Sequence, residues 1–303
     1  MNLRNHNKFE LRLTPQAPAI YRRVALTFES KSSQSLFRGV LHGIGVGGTL
    51  YASLVVAYVG TRPFALFYTP GVRPLFVEFT RRFVVPVAAK LGGLRITGSG
   101  MEHVDACAKG YVLIANHASN LDPIALMYLL DRTDLNFVAK IETLRRPLLG
   151  DLLQSIPWLA VDRASLASLK KLAQEVRERQ KTGWIPRIVV FPEGTRSETG
   201  KLGAFKSGPF LLAALLGIPI IPAVIRGTFP LHKKDAFLVY PGPVHVDFHA
   251  PLWPAKLQGK QLDLKVVDAA GALMKQAEAI YKSIDDFTVV PGANGGGTET
   301  HHA

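Results

Sequence analysis

The sequence predicts an α/β fold, a central, largely parallel or mixed sheet flanked by helices, with an apolar helical segment ahead of it. Three observations carry this expectation. Short β-branched runs alternate with longer helical patterns from Leu94 onward. The uncharged run 39–60 stands apart from that region in composition. The length of 303 residues allows one large domain with appendages.

The runs Leu94–Gly98, Tyr111–Ala115, Leu135–Ala139, Arg187–Phe191 and Ile218–Ile225 read as strands. Between them Leu166, Leu169, Leu172, Ala173 and Val176 recur at helical spacing, and Gly183 supplies a stop. Leu264, Val267, Met274 and Tyr281 mark a last helix. Strands alternating with helices argue for a parallel sheet covered by helices. The expected organisation is a polar segment 1–35, membrane-associating helices 36–93, an α/β domain 94–287 and a disordered tail 288–303 that contains Gly295-Gly296-Gly297.

Residues 39–60 lie between Arg38 and Arg62 and contain no charge. At about 1.5 Å per residue such a run just crosses a bilayer core of roughly 30 Å. A second apolar stretch, 63–93, is broken by Pro70-Gly71 and Arg81-Arg82 and reads as an interfacial or re-entrant helix. The alternative is a pair of buried helices packed on the main domain. The first ten residues have no apolar core behind their basic residues, so a cleaved secretory signal is not expected.

The net charge of +13 favours anionic partners. Nucleic acid is not expected, because the basic residues are scattered and no zinc-ligand spacing, basic zipper or RNA-binding aromatic signature is present. The single cysteine, Cys107, excludes an intramolecular disulfide and reads as a passive thiol.

Two clusters can carry chemistry. His117 directly follows an apolar strand, where sites form in open α/β sheets. Asp122 is five residues on, about 140° around an ideal helix. The two meet only if the histidine lies in the turn before a helix and the aspartate in its first turn, with Ser119 or Asn120 as cap. The carboxylate would then hold one imidazole nitrogen and leave the other free to take a proton. An ordinary N-cap followed by Pro123 is the plainer alternative. The second cluster, Phe191-Pro192-Glu193-Gly194-Thr195-Arg196-Ser197, also follows a β-run. Such a turn aims backbone N–H groups at an anion, and Arg196, Thr195 and Ser197 add donors. Glu193 can bind substrate hydroxyls or orient Arg196. Lys206 lies just before another helix. A solvated polar turn is the alternative here.

Four blocks in order resemble the 1-acylglycerol-3-phosphate acyltransferase (lysophosphatidic acid acyltransferase) family of the glycerolipid acyltransferase superfamily. They are His117 to Asp122, Trp158 to Arg163, Phe191 to Ser197, and Ile218 to Val224. Phe137-Val138-Ala139-Lys140 is similar to the family's lysine-bearing segment. The resemblance covers roughly 90 to 250 and departs in the second block, where Pro157 and Ala160 replace part of the usual run.

The resemblance implies an O-acyltransferase that moves a fatty acyl group from a thioester of coenzyme A or acyl carrier protein to lysophosphatidic acid. His117 would be the base and Asp122 its orienting partner. Lys140, Arg163, Glu193, Gly194, Thr195, Arg196 and Lys206 would hold the acceptor. It implies no cofactor, no metal and no covalent acyl-enzyme. It also implies membrane lipids as partners and a membrane-associated enzyme whose site faces the cytoplasm. Another lysophospholipid, glycerol-3-phosphate or an amino-acid lipid stays open as acceptor, and so does a non-catalytic basic membrane-binding protein. The lack of a Gly-x-Ser-x-Gly elbow disfavours a hydrolase.

Overall fold

The computed structural model describes residues 78, 80–130, 134–140, 158–161, 166–234, 236, 239–255 and 262–291. The expected polar segment 1–35, the uncharged run 39–60, Arg163 and the stretch 292–303 lie outside them.

The described chain begins with a π-helical turn, Thr80–Val84, that runs into α1, Val85–Leu91. It continues through β1 (Leu94–Ser99), α2 (Met101–Asp105), β2 (Tyr111–Ala115), α3 (Leu121–Leu130), β3 (Leu135–Lys140) and β4 (Trp158–Val161). Then come α4 (Leu166–Lys181), β5 (Arg187–Val190), α5 (Gly208–Leu216), β6 (Ile220–Arg226), α6 (Thr228–Leu231), β7 (Gly242–Phe248) and α7 (Leu262–Lys282). The seven strands form one sheet in the order β1-β7-β6-β2-β5-β3-β4. All neighbours pair in parallel except β6 and β7. The sheet is therefore mixed, with β1 and β7 running against the other five.

Burial explains the strand sequences. Every residue of β2 and β5 is buried, as expected of central parallel strands covered on both faces. Alternate side chains go to opposite layers. Val112, Ile114 and Ile188 join Leu172, Val176, Phe210 and Tyr281 under α4, α5 and α7. Tyr111, Leu113 and Val189 join Leu121, Ala125 and Leu126 under α3. β7 is not among the strands expected from sequence. Its buried residues Val244, Val246 and Phe248 alternate with the polar His245 and Asp247.

The last helix forms where expected, but its buried stripe differs. Val267 is 52% exposed, while Val266, Ala269, Ala270, Leu273, Ala277 and Tyr281 face the sheet. Small alanines let α7 lie close to the strands, and a reading that weights large apolar residues misplaces that face. Tyr281 then reaches through to the sheet. Its hydroxyl lies 2.8 Å from both the Ile114 and Ala223 carbonyl oxygens, and burial holds that hydroxyl in its protonated, donating form.

Of the stretch 63–93, the described elements are the π-turn and α1; α1 packs beside β1 and α3. Phe83 and Val87 are exposed there, and Arg81 and Arg82 both pair with Glu78. No helix among the described residues is long and apolar enough to cross a membrane.

Candidate active site

The carboxyl ends of β2, β5 and β6 lie side by side, and their outgoing turns bring the two sequence clusters together. β2 ends at Ala115 and α3 starts at Leu121, so His117 lies in the turn and Asp122 in the first helical turn. Asn116 secures the exit of β2. Its side-chain amide donates to the Ile225 carbonyl and accepts from the Ile225 N–H, extending the β2–β6 ladder by one step.

Asp122 is wholly buried, which is costly for a carboxylate unless it is saturated with donors. Its Oδ2 lies 2.8 Å from His117 Nδ1, from the Ala118 N–H and from the Ser119 N–H. Its Oδ1 accepts from the Thr228 hydroxyl at 2.6 Å. An ionised carboxylate only accepts, so Nδ1 of His117 carries the proton and Nε2 is left as the basic nitrogen. Nε2 has no hydrogen-bond partner among the described residues. Ser119 Oγ caps the helix start by accepting from the Leu121 N–H.

His117 is also held by the second cluster. Its ring stacks on Phe191 with centroids 4.0 Å apart. Its carbonyl accepts from the Ser197 N–H at 2.7 Å. Its own N–H donates to Glu193 Oε1 at 2.7 Å.

Glu193 departs from the expectation of a substrate ligand. It is buried, and its second oxygen accepts from the Gly203 N–H at 2.6 Å. It straps the histidine turn to the loop 193–203. A Cβ at position 203 would lie 2.8 Å from that oxygen, so a side chain there would press on the carboxylate. Burial pushes the Glu193 carboxyl above its ordinary range, against the two N–H bonds that favour its charge.

A stability test follows. In Glu193→Gln one amide hydrogen must face a backbone donor, which costs about 1–3 kcal/mol. A carboxyl whose pKa is raised on folding contributes stability that is present below its ordinary value of 4.5 and lost as pH rises through the folded value. The gap in Tm between wild type and Glu193→Gln therefore narrows as pH rises from 4.5. Thermal melts across pH 4 to 8 (roughly the span in which buried carboxyls titrate) check this; a gap that widens contradicts it.

The other expected ligands divide. Gly194 takes a positive φ of 75° and donates to the Phe191 carbonyl, forming the tight turn after β5. Thr195 is exposed at that turn, and Arg196 is partly exposed. The Lys206 side chain is exposed, and its N–H donates to the Pro192 carbonyl at 2.9 Å. Lys140 closes β3, but its side chain and the whole of Arg163 lie outside the described residues.

Two residues are absent from the sequence reading. Thr228, at the start of α6, bonds Asp122 from 106 residues away. His232 is buried and lies 3.4 Å through Nδ1 from Ser119 Oγ. Burial lowers the pKa of His232 and the Arg196 charge adds to that, so it sits beside the site as a neutral imidazole. No group of three or more His, Cys, Asp or Glu side chains among the described residues is placed to hold a metal ion. Cys107 is buried away from this chemistry, and burial raises its pKa.

The fold and this arrangement define an α/β domain with a His–Asp pair at the carboxyl ends of its strands, and the comparisons point to one family for it. A family model described as Acyltransferase matches residues 95–226. The chain is 33% identical over 164 residues to the 1-acyl-sn-glycerol-3-phosphate acyltransferase of Cocos nucifera, covering 53% of this chain and 50% of that one. It is 30% identical over 167 residues to the 1-acyl-sn-glycerol-3-phosphate acyltransferase of Pseudomonas aeruginosa, covering 54% and 62%. Among solved structures it is similar in fold to PlsC, the 1-acyl-sn-glycerophosphate acyltransferase of Thermotoga maritima. The TM-score is 0.57 at 20% identity, over 80% of this chain and 98% of that one. Residues 95–226 thus match the Acyltransferase family model, and the part of the chain around them is similar in sequence to 1-acyl-sn-glycerol-3-phosphate acyltransferases. The chain spans about half the length of the plant relatives it matches.

Proposed function

We propose that this protein is an O-acyltransferase that moves a fatty acyl group from an acyl thioester to the free hydroxyl of lysophosphatidic acid, giving phosphatidic acid. The observation that carries this reading is His117. Its Nδ1 is tied to a buried, saturated Asp122, its Nε2 is open, and the Phe191–Ser197 turn adjoins it. The names of the curated relatives support this acceptor.

In this reading Nε2 of His117 takes the proton of the acceptor hydroxyl as the oxygen attacks the thioester carbonyl. The new C–O bond forms, the C–S bond breaks, and the departing thiolate recovers the proton from the imidazolium. Asp122 stabilises that imidazolium while it lasts. A thioester is already activated, so no protein nucleophile enters the sequence. The donor is a thioester of coenzyme A or of acyl carrier protein. The acceptor phosphate is held by Arg196, with Lys206, Thr195, Gly194, Lys140 and Arg163 around it, and Glu193 shapes the turn from behind. The enzyme works at a membrane surface with its site on the cytoplasmic side, on an α/β domain 94–287 preceded by membrane-associating helices 36–93.

An acceptor panel tests the reading. Lysophosphatidic acid, other lysophospholipids and glycerol-3-phosphate are compared with both donor types. Turnover of lysophosphatidic acid no better than of neutral lysophospholipids sinks the phosphate reading. Arg196→Ala should raise the acceptor KM by roughly 10-fold or more, the scale of one charge-assisted hydrogen bond. An unchanged KM counts against its role.

A further inference from the structure

We infer that Thr228 is a positioning residue for the His117–Asp122 pair, a third member that fixes the carboxylate so that one oxygen serves the histidine alone with its turn. The inference rests on the proposed role of His117 as base.

The argument starts from the count of donors. Oδ2 of Asp122 receives three: His117 Nδ1, the Ala118 N–H and the Ser119 N–H. Oδ1 receives one, the Thr228 hydroxyl, at 2.6 Å, and no other partner exists for it among the described residues. Both side chains are removed from solvent, with Asp122 at 0% and Thr228 at 1% exposure, so water does not replace that donor. Without it a buried carboxylate oxygen is left unpaired, and the group is free to pivot toward another donor.

The fold holds Thr228 where this bond needs it. The preceding Gly227 takes φ 85°, and a Cβ there would lie 2.3 Å from the Pro243 carbonyl oxygen. Its N–H donates to the Phe287 carbonyl at 3.0 Å. The Thr228 carbonyl accepts from the His232 N–H at 3.0 Å. β7 and the chain after α7 thus clamp the turn that carries the hydroxyl. Threonine is restricted at χ1, which limits the positions its hydroxyl oxygen can take. None of this chain of contacts touches the reacting atoms; Thr228 acts through Asp122.

The test uses the full-length protein and three variants. Thr228→Val keeps the shape and removes the hydroxyl. Thr228→Ser keeps the hydroxyl. Thr228→Cys keeps the volume with a weak donor and replaces valine if that variant does not fold. Two readouts are taken: kinetics with lysophosphatidic acid, and the hydrogen-bonded Nδ1–H resonance of His117 in 15N-histidine-labelled protein, assigned by its loss in His117→Gln.

The expected result for Thr228→Val is a fall in kcat of about 10- to 100-fold, typical for loss of an orienting partner. The acceptor KM stays within about threefold, since the acceptor is not touched. The Nδ1–H resonance shifts or disappears, and Thr228→Ser restores both the resonance and most of the turnover. A resonance that stays in place in a folded Thr228→Val protein overturns the inference, as does a serine variant that matches valine in every readout. Should wild type fail on lysophosphatidic acid, or His117→Ala retain turnover, the proposed reaction fails, and the resonance comparison still decides the role of Thr228.

Discussion

His117→Ala lowers kcat with lysophosphatidic acid by roughly 10²- to 10⁴-fold, the usual contribution of a positioned general base, and leaves the fold in place. The second half of that statement follows from how residue 117 is held. Its N–H bonds Glu193 and its carbonyl accepts from Ser197, and both are backbone groups that alanine keeps. Asp122 loses one donor of four and retains the Ala118 N–H, the Ser119 N–H and the Thr228 hydroxyl. The ring itself is partly exposed and stacks on a single neighbour, Phe191. Little apolar surface is uncovered by its removal, so Tm should move by a few degrees at most, about the effect of 1 kcal/mol or less. The measurement is a steady-state assay beside a thermal melt. Turnover within tenfold of wild type sinks the base assignment. A collapsed melt would turn the loss of activity into a folding effect, and the His117→Gln variant, which retains a polar side chain, then separates the two.

How much of this site could be read in the sequence depends on the range of each contact. His117 and Asp122 are five residues apart, and helix geometry alone required a turn-then-helix arrangement, which is how the structure seats them. Strands β2, β3 and β5 are legible because each is a short, mostly apolar run between breakers. Thr228 and His232 were not, because their value depends on β6 lying beside β2, and strand order is not a local property. The same holds for Asn116, whose partner Ile225 is 109 residues away. β7 escaped because its signal is only three apolar residues at alternate positions, interrupted by His245 and Asp247. Glu193 shows how a loop can be legible while its contacts are not. A carboxylate in a turn with Arg196 suggests a ligand or an ion pair, whereas burial and two backbone donors make it a strap.

Asp122→Asn is the sharper test, because it removes a charge and almost nothing else. An asparagine oxygen in the place of Oδ2 still accepts from the Ala118 and Ser119 N–H groups and from His117 Nδ1–H. The amide nitrogen then faces Thr228, whose hydroxyl can rotate from donating to accepting. One amide hydrogen is left without an acceptor, at about 1–3 kcal/mol, and every other group in the pocket stays paired, so the melt shifts but the fold holds. What disappears is the negative charge that stabilises the imidazolium as the acceptor proton moves, so kcat falls by about 10²- to 10⁴-fold while the acceptor KM holds. Asp122→Ala behaves differently. It strands two backbone N–H groups and a hydroxyl in a site with no solvent access, at about 1–3 kcal/mol for each unsatisfied group, so stability and activity fall together. The pair acts as one device, so the double variant His117→Ala/Asp122→Asn should be no slower than His117→Ala alone. Additive losses, or an asparagine variant within tenfold of wild type, would assign Asp122 to the architecture of the helix start and leave His117 to act without it.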